Sequence, residues 1–176
     1  MTRVPLLLVI LVLASCTENK NPTTPSGPSL SFFVSSTTSP TGNLGGLAAA
    51  DARCQSLAAA VGRGARIWRA YLSVDRDSTN NNQPTHARDR IGAGPWHNAN
   101  LTLVANNIAE LHARAGDASI FIDERGQLIN GQWTGSPTPN QHDILTGSNA
   151  DGTLAPGLTC GDWTSDSTSL TAQVGH

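Results

Sequence analysis

The sequence predicts a single α+β domain, and three observations support this. Residues 47–61 are rich in Ala, the best helix former, and predict one well-defined helix. Short apolar runs at residues 32–34 and 67–73 have the composition of strands. A chain of 176 residues is long enough for one ordinary domain and short for two.

The composition argues against one functional class, the nucleic-acid-binding proteins. The formal net charge is -2 and the sequence pI is about 6.2, whereas a nucleic-acid-binding protein usually has a basic face. Charged residues make up 14% of the chain, below the roughly 25% of ordinary globular domains. Gly, Pro, Ser, Thr and Asn are abundant instead, which is typical of loop-rich extracytoplasmic proteins. We therefore expect no nucleic-acid partner.

The N-terminus has the features of an export signal. Arg3 supplies a positive start, and residues 4–13 form an apolar run that is about half the roughly 20 residues needed to span a bilayer. The sequence Leu13-Ala14-Ser15-Cys16 resembles a bacterial lipobox. That resemblance implies that residues 1–15 are a lipoprotein signal peptide and that Cys16 carries acyl chains, which anchor the protein in a membrane.

The segment after Cys16 is interpreted as a tether. Residues 16–29 contain three Pro and one Gly, so they predict a disordered segment without a helix. Thr17, and not Asp, follows Cys16, and by resemblance to Gram-negative lipoproteins this favours the outer membrane. The folded domain is then predicted to occupy residues 30–176.

Within the domain, local patterns predict the remaining elements in order. Gly62 and Gly64 end the helix, and a polar surface loop follows at residues 75–89. Residues 101–112 fit either a helix or a shorter strand. Further along we expect a hairpin-like pair around Glu124-Arg125-Gly126, a long loop at 136–158, a strand at 159–164 and an unanchored polar end at 165–176.

Several segments together resemble the endostatin-like module. The matching stretches, in chain order, are Gly42-Asn43-Leu44-Gly45-Gly46, Ala50-Asp51-Ala52-Arg53-Cys54, Arg69-Ala70-Tyr71-Leu72-Ser73, Trp133-Thr134-Gly135 and Cys160-Gly161-Asp162-Trp163. The resemblance implies a C-type lectin-like fold with a twisted antiparallel sheet. It also implies that Trp68, Trp133 and Trp163 serve packing. Family members continue past the position of His176 with further strands and two Cys, so the resemblance implies an incomplete C-terminus.

The cysteines allow three interpretations. In the family, the counterparts of Cys54 and Cys160 each pair with a Cys near the C-terminus, so the resemblance implies structural disulfides whose partners this chain lacks. Alternatively, Cys54 and Cys160 pair with each other, or both are free and buried.

The long loop supplies candidate ligand-binding residues. It occupies the position of the ligand-binding loop of C-type lectins and offers Asn140, His142, Asp143, Asn149 and Asp151. Their oxygen atoms suit Ca²⁺ and sugar hydroxyl groups. However, Thr138-Pro139-Asn140 lacks the acidic member of the calcium lectins' triplet. We therefore expect no cofactor and no metal, with Ca²⁺ as the alternative.

Trp96 is a further candidate, because a Trp in a Gly-Pro loop can stack on a sugar ring, although packing is the competing interpretation. Arg63, Arg66 and Arg69 are interpreted as an exposed turn, with an acidic-glycan patch as the alternative. By analogy of fold, these features predict a non-catalytic module that recognises glycans or cell-surface proteins. The alternatives are an envelope lipoprotein without a small ligand and, third, an exported enzyme.

Overall fold

The computed structural model of the chain describes residues 27–114, 117–131, 135 and 138–175. The signal peptide, Cys16 and Trp133 lie outside the described residues. The regular elements are α1 (Gly46–Ala60), β1 (Val74–Asp77), β2 (Gln83–Thr85), a 3-10 turn (Ala87–Asp89), β3 (Trp96–His97), β4 (Leu103–Ala105), α2 (Ile108–Ala113), β5 (Ile144–Leu145), a single turn (Cys160–Trp163) and β6 (Val174–Gly175). The described chain is thus α+β.

Helix α1 confirms the predicted helix to within one residue at each end. Its C-terminus is a Schellman motif: the N–H of Gly62 donates to Ala59 O at 3.0 Å, and the N–H of Arg63 donates to Ala58 O at 2.8 Å. Gly62 has φ +75°, a conformation that glycine adopts without steric cost. This motif stops the helix and turns the chain into residues 63–69.

The strand predicted at residues 67–73 is wrong. The N–H of Trp68 donates to Gln55 Oε1 at 3.0 Å, and the N–H of Ala70 donates to Asp51 Oδ1 at 2.8 Å. Side chains of α1 therefore occupy the hydrogen-bonding positions that a neighbouring strand would take. Regular strand geometry begins only at Val74.

The strands of the described residues form three two-stranded antiparallel sheets, β1–β2, β3–β4 and β5–β6. The first of these is a hairpin that begins at Val74 and otherwise lies in the segment predicted as a loop, residues 75–89. Asp77 stabilises its turn, because Oδ1 accepts from the N–H and hydroxyl of Thr79 and Oδ2 accepts from the hydroxyl of Thr85. In residues 101–112 the strand β4 and the helix α2 both form, one after the other.

The hairpin-like pair around residues 124–126 is confirmed. Ile122 and Leu128 form an antiparallel bridge, and the N–H of Asp123 donates to Gln127 O at 2.8 Å. Asp123 Oδ1 also accepts from the N–H groups of Arg125 and Gln127, so its side chain organises the turn.

The strand predicted at residues 159–164 is also wrong. Cys160, Gly161, Asp162 and Trp163 all have positive φ, between +47° and +63°. Such left-handed geometry costs roughly 1–2 kcal/mol for each residue that is not glycine, so the surroundings must compensate. The fully buried Trp163 donates from Nε1 to Ser73 O at 2.9 Å, and Asp162 Oδ1 accepts from the N–H of Asp75 at 2.7 Å.

The C-terminal segment is anchored, contrary to the prediction for residues 165–176. Ala172 forms an antiparallel bridge with Thr159, and β6 pairs with β5. The prediction relied on polarity, yet this pairing uses backbone groups, which every residue type carries.

Three clusters of buried residues form the core. The first surrounds Trp163 and the inner face of α1; the second joins Leu30, Ala58 and Trp68; the third contains Trp96 with β4. Among the described residues, no helix is both long and apolar enough to cross a membrane.

Candidate binding groove

An open groove of about 360 Å³ lies between residues 31–33, 67–71 and 90–96. The chain has four Trp, one Tyr and three Phe, and five of these eight rings line the groove. Its size and aromatic lining fall within the range of small-molecule sites. The rings belong to Phe32, Phe33, Trp68, Tyr71 and Trp96.

The first wall of the groove, residues 31–33, is fixed against β3. The N–H groups of Ser31 and Phe32 donate to His97 O at 2.9 and 3.1 Å, and the N–H of His97 donates to Ser31 Oγ at 2.9 Å. This reciprocal pairing holds the N-terminal segment of the domain in place and directs Phe32 and Phe33 to the groove.

The second wall follows from the way α1 holds residues 67–71. Trp68 as a residue is 8% exposed, and its Nε1 donates to Arg63 O at 2.9 Å. The ring centroids of Phe33 and Trp68 are 5.0 Å apart with an interplanar angle of 54°, a tilted aromatic contact. The two walls therefore meet through these rings.

Arginine side chains supply the positive charge at this site. Arg90 is bound to the fold, since its Nη2 donates to both carboxylate oxygens of Asp51 at 2.6–2.8 Å and its Nη1 donates to Ala70 O at 2.5 Å. Arg69 and Ile67 lie on the rim and are exposed, Ile67 by 84%. The rim is thus accessible while the interior is held rigidly.

Tyr71 forms a side-chain pair with His112. His112 Nδ1 lies 2.8 Å from Ile108 O, which can only accept, so Nδ1 carries a proton. In the neutral ring, Nε2 then accepts from the Tyr71 hydroxyl at 2.7 Å. Burial raises the pKa of Tyr71 to about 12, and the carboxylate of Asp151 adds to this increase. Tyr71 is therefore neutral at physiological pH.

Both described cysteines are free and half-buried, so no disulfide joins Cys54 to Cys160 in this structure. Cys54 borders the groove, and burial together with the nearby Asp51 carboxylate raises its pKa to about 11. Cys160 packs close to Gly42, where an added Cβ would overlap its side chain.

Three of the residues predicted from the sequence lie together. His142 Nδ1 is 2.5 Å from Asn140 Oδ1, and His142 Nε2 is 3.8 Å from Asp143 Oδ1. The His142 and Phe121 rings make an edge-to-face contact, with centroids 6.4 Å apart and an interplanar angle of 78°. These contacts place Asn140 and Asp143 on either side of the His142 ring.

Asn149 and Asp151 lie in a separate turn. Asn149 Nδ2 donates to Leu154 O at 2.9 Å, and Asp151 Oδ1 accepts from the N–H and hydroxyl of Thr153. Asp151 Oδ2 lies 3.8 Å from Arg88 Nη1. These polar atoms thus stabilise their own turn.

Of the six candidates, Trp96 is the one that borders the groove. It is 5% exposed and packs with Val104 and Ala105, so most of its ring surface is in the core. No group of three or more His, Cys, Asp or Glu side chains in the described ranges has an arrangement that could hold a metal ion.

Sequence analysis did not identify the other aromatic residues of the groove as site residues, and it named Arg69 only as part of the alternative acidic-glycan patch. One signal was present: five of the eight aromatic residues of the chain fall in three short segments, at residues 32–33, 68–71 and 96. Because those segments are far apart in sequence, only the contacts with α1 and β3 reveal that they share one groove.

A comparison with protein families assigns most of the chain to one family. A family model described as "Protein of unknown function (DUF1554)" matches residues 37–176. The chain belongs to this family. The second and third groove segments, residues 67–71 and 90–96, lie within the DUF1554 match, whereas residues 31–33 precede it. No curated protein matches the chain.

Proposed function

We propose that this protein is a lipid-anchored, non-catalytic binding module that recognises a glycan, or a segment of a surface protein, in the aromatic groove. The single observation that carries the proposal is the concentration of five aromatic residues in the lining of one open groove. Its finer fold is proposed to be C-type lectin-like, supported by the order of sequence landmarks described above.

A sugar suits this lining for chemical reasons. One face of a sugar ring presents C–H groups, which pack against aromatic rings, while its hydroxyl groups need hydrogen-bond partners at the edge. The groove offers Phe33 and Trp68 in contact, with the exposed Arg69 guanidinium on the rim.

The proposed anchor is supported by the lipobox-like sequence at residues 13–16. The intact mass of the protein extracted in detergent tests it, because Cys16 acylation adds the mass of the acyl chains to a chain that begins at Cys16. A mass equal to the unmodified sequence would refute the anchor. A mass several kilodaltons above the acylated chain would instead reveal further residues.

Glycan-array screening with the full chain tests the groove. The decisive comparison is Phe33→Leu, which keeps an apolar side chain but removes the ring, against Phe121→Leu, which makes the same change at a buried ring outside the groove lining. We expect Phe33→Leu to weaken binding about threefold to tenfold, the value of one aromatic contact, and Phe121→Leu to leave it unchanged.

A second matched pair tests the rim. Arg69→Gln is expected to weaken binding, whereas Arg125→Gln, at a side chain that is 62% exposed outside the groove lining, is expected to have no effect. Absence of any glycan signal, together with co-purification of envelope proteins that Phe33→Leu does not disturb, would favour the envelope-interaction alternative and overturn the groove proposal.

A further inference from the structure

The loop at residues 62–69 presents an unusual surface that includes part of the groove rim, at Ile67 and Arg69. Arg63, Arg66 and Arg69 are exposed, and none of their guanidinium groups lies within 4.0 Å of a carboxylate in the described part of the chain. Ile67, between them, is 84% exposed, the highest value among the exposed large hydrophobic residues. An exposed aliphatic side chain thus lies in a short loop with three exposed arginines that have no carboxylate partner in the described part of the chain.

The backbone of this loop is held rigidly. The Schellman motif fixes its start at Gly62, and Gln55 accepts from the N–H of Trp68 while it donates to Gly64 O at 2.9 Å. The buried Trp68 ring closes the loop by donating to Arg63 O. These contacts therefore keep the Ile67 side chain exposed to water, and the folded state bears the free-energy cost of that exposure.

The loop also lies beside the start of the folded domain. Arg66 Nη1 donates to Leu30 O at 3.3 Å, and Leu30 packs with Trp68 in the second core cluster. Thirteen residues separate Leu30 from Cys16, and such a segment reaches at most about 45 Å when fully extended. An anchor at Cys16 would therefore hold this corner of the domain within about 45 Å of the membrane.

We infer that residues 62–69 form a membrane-docking loop, in which Arg63, Arg66 and Arg69 bind anionic phospholipid headgroups and Ile67 inserts at the interface. Charge complementarity selects an anionic surface, although the whole chain has a net charge of -2. Ile67 favours a lipid surface over a soluble polyanion, because a polyanion offers no apolar region for an aliphatic side chain.

The test is arginine footprinting of the full, acylated chain in vesicles of phosphatidylcholine alone or with added phosphatidylglycerol. Phenylglyoxal modifies accessible guanidinium groups, and peptide mass spectrometry gives the modified fraction at each Arg. We expect modification at Arg66 and Arg69 to fall at least about threefold in the anionic vesicles, given roughly fivefold tighter binding per Arg near such a surface. Arg125 serves as the internal control and should not change.

Two exposed aliphatic residues provide matched variants. Ile67→Ser is expected to restore much of the modification at Arg66 and Arg69, whereas Leu170→Ser, at a residue that is 42% exposed, is expected to leave the shielding intact. Equal modification in both vesicle types would overturn the inference. The inference would also be overturned if soluble dextran sulfate shielded Arg66 and Arg69 equally and Ile67→Ser did not alter that shielding. That result would identify a polyanion site.

This inference relies on the proposed anchor only for the position of the loop. If the mass measurement refutes the anchor, the unacylated chain can still be added to the same vesicles and footprinted. Phe33→Leu should leave the shielding unchanged, so failure of the groove proposal and failure of the docking loop remain distinguishable.

Discussion

Arg90 Nη2 and Asp51 Oδ2 lie 2.6 Å apart beside the groove, with side chains that are only 5% and 25% exposed. The same Asp51 accepts from the N–H of Ala70, and the same Arg90 donates to Ala70 O. One ion pair thus joins helix α1 to the groove wall at residues 67–71 and to the segment that contains Arg90.

Breaking this ion pair should strongly destabilise the fold. Asp51→Ala leaves the buried Arg90 charge and the N–H of Ala70 without their partner, and we expect a loss of about 3 kcal/mol in the free energy of unfolding. Asp117→Ala breaks a pair of the same 2.6 Å distance whose side chains are 23% and 52% exposed, and should cost about 1 kcal/mol or less. Urea unfolding measures both. Equal losses would show that burial does not set the strength of the Arg90–Asp51 pair.

Tyr71 should make the protein less stable in alkali. Its pKa is about 12 in the folded chain against about 10 in the unfolded chain. The folded state therefore retains the proton longer, so the contribution is fully present below pH 10 and is lost as the pH rises towards 12. Tyr71 is the single Tyr, so ultraviolet titration reports on it alone. A midpoint near 10 in the folded protein would contradict the prediction, and Tyr71→Phe should abolish the signal.

Gly152 should be intolerant of any side chain. An added Cβ would overlap His112 Nε2 and lie 2.8 Å from the Tyr71 hydroxyl, at a residue with φ +80°. Gly157 has a similar φ of +73° and nothing within 4 Å of its added Cβ, so Gly157→Ala isolates the backbone cost of about 1 kcal/mol. Gly152→Ala should lose roughly 2–4 kcal/mol, because overpacking is added to that cost. Thermal unfolding of both variants decides whether their difference exceeds 1 kcal/mol.

Cys54 should react slowly in the folded protein. The thiolate is the nucleophile, and the pKa of about 11 leaves little of it at pH 8. After brief treatment with iodoacetamide, we expect Cys54 to be largely unmodified by peptide mass spectrometry, and to react fully after denaturation without a reductant. If Cys54 and Cys160 remain unmodified in the denatured, unreduced chain, a disulfide holds them and the free-thiol description fails.

The sequence determined the elements that depend on local chemistry. The Ala content predicts α1. The end of the helix at Gly62 is also predictable, because the left-handed conformation after a helix favours glycine, which has no Cβ atom. The turn at residues 124–126 depends on Asp123, whose side chain binds N–H groups only two and four residues away. Interactions over so few residues are readable from the chain itself, and these predictions are confirmed.

The groove was decided by tertiary structure. Residues 67–73 have the composition of a strand. However, Gln55 of α1 accepts from the N–H of Trp68, and Asp51 accepts from the N–H of Ala70. The N–H of Ser73 donates to Thr146 O. The left-handed turn at Cys160–Trp163 likewise exists because partners distant in sequence compensate its strain. Composition reports which residues can pair, whereas the choice between competing partners depends on which of them the rest of the fold brings within hydrogen-bonding distance.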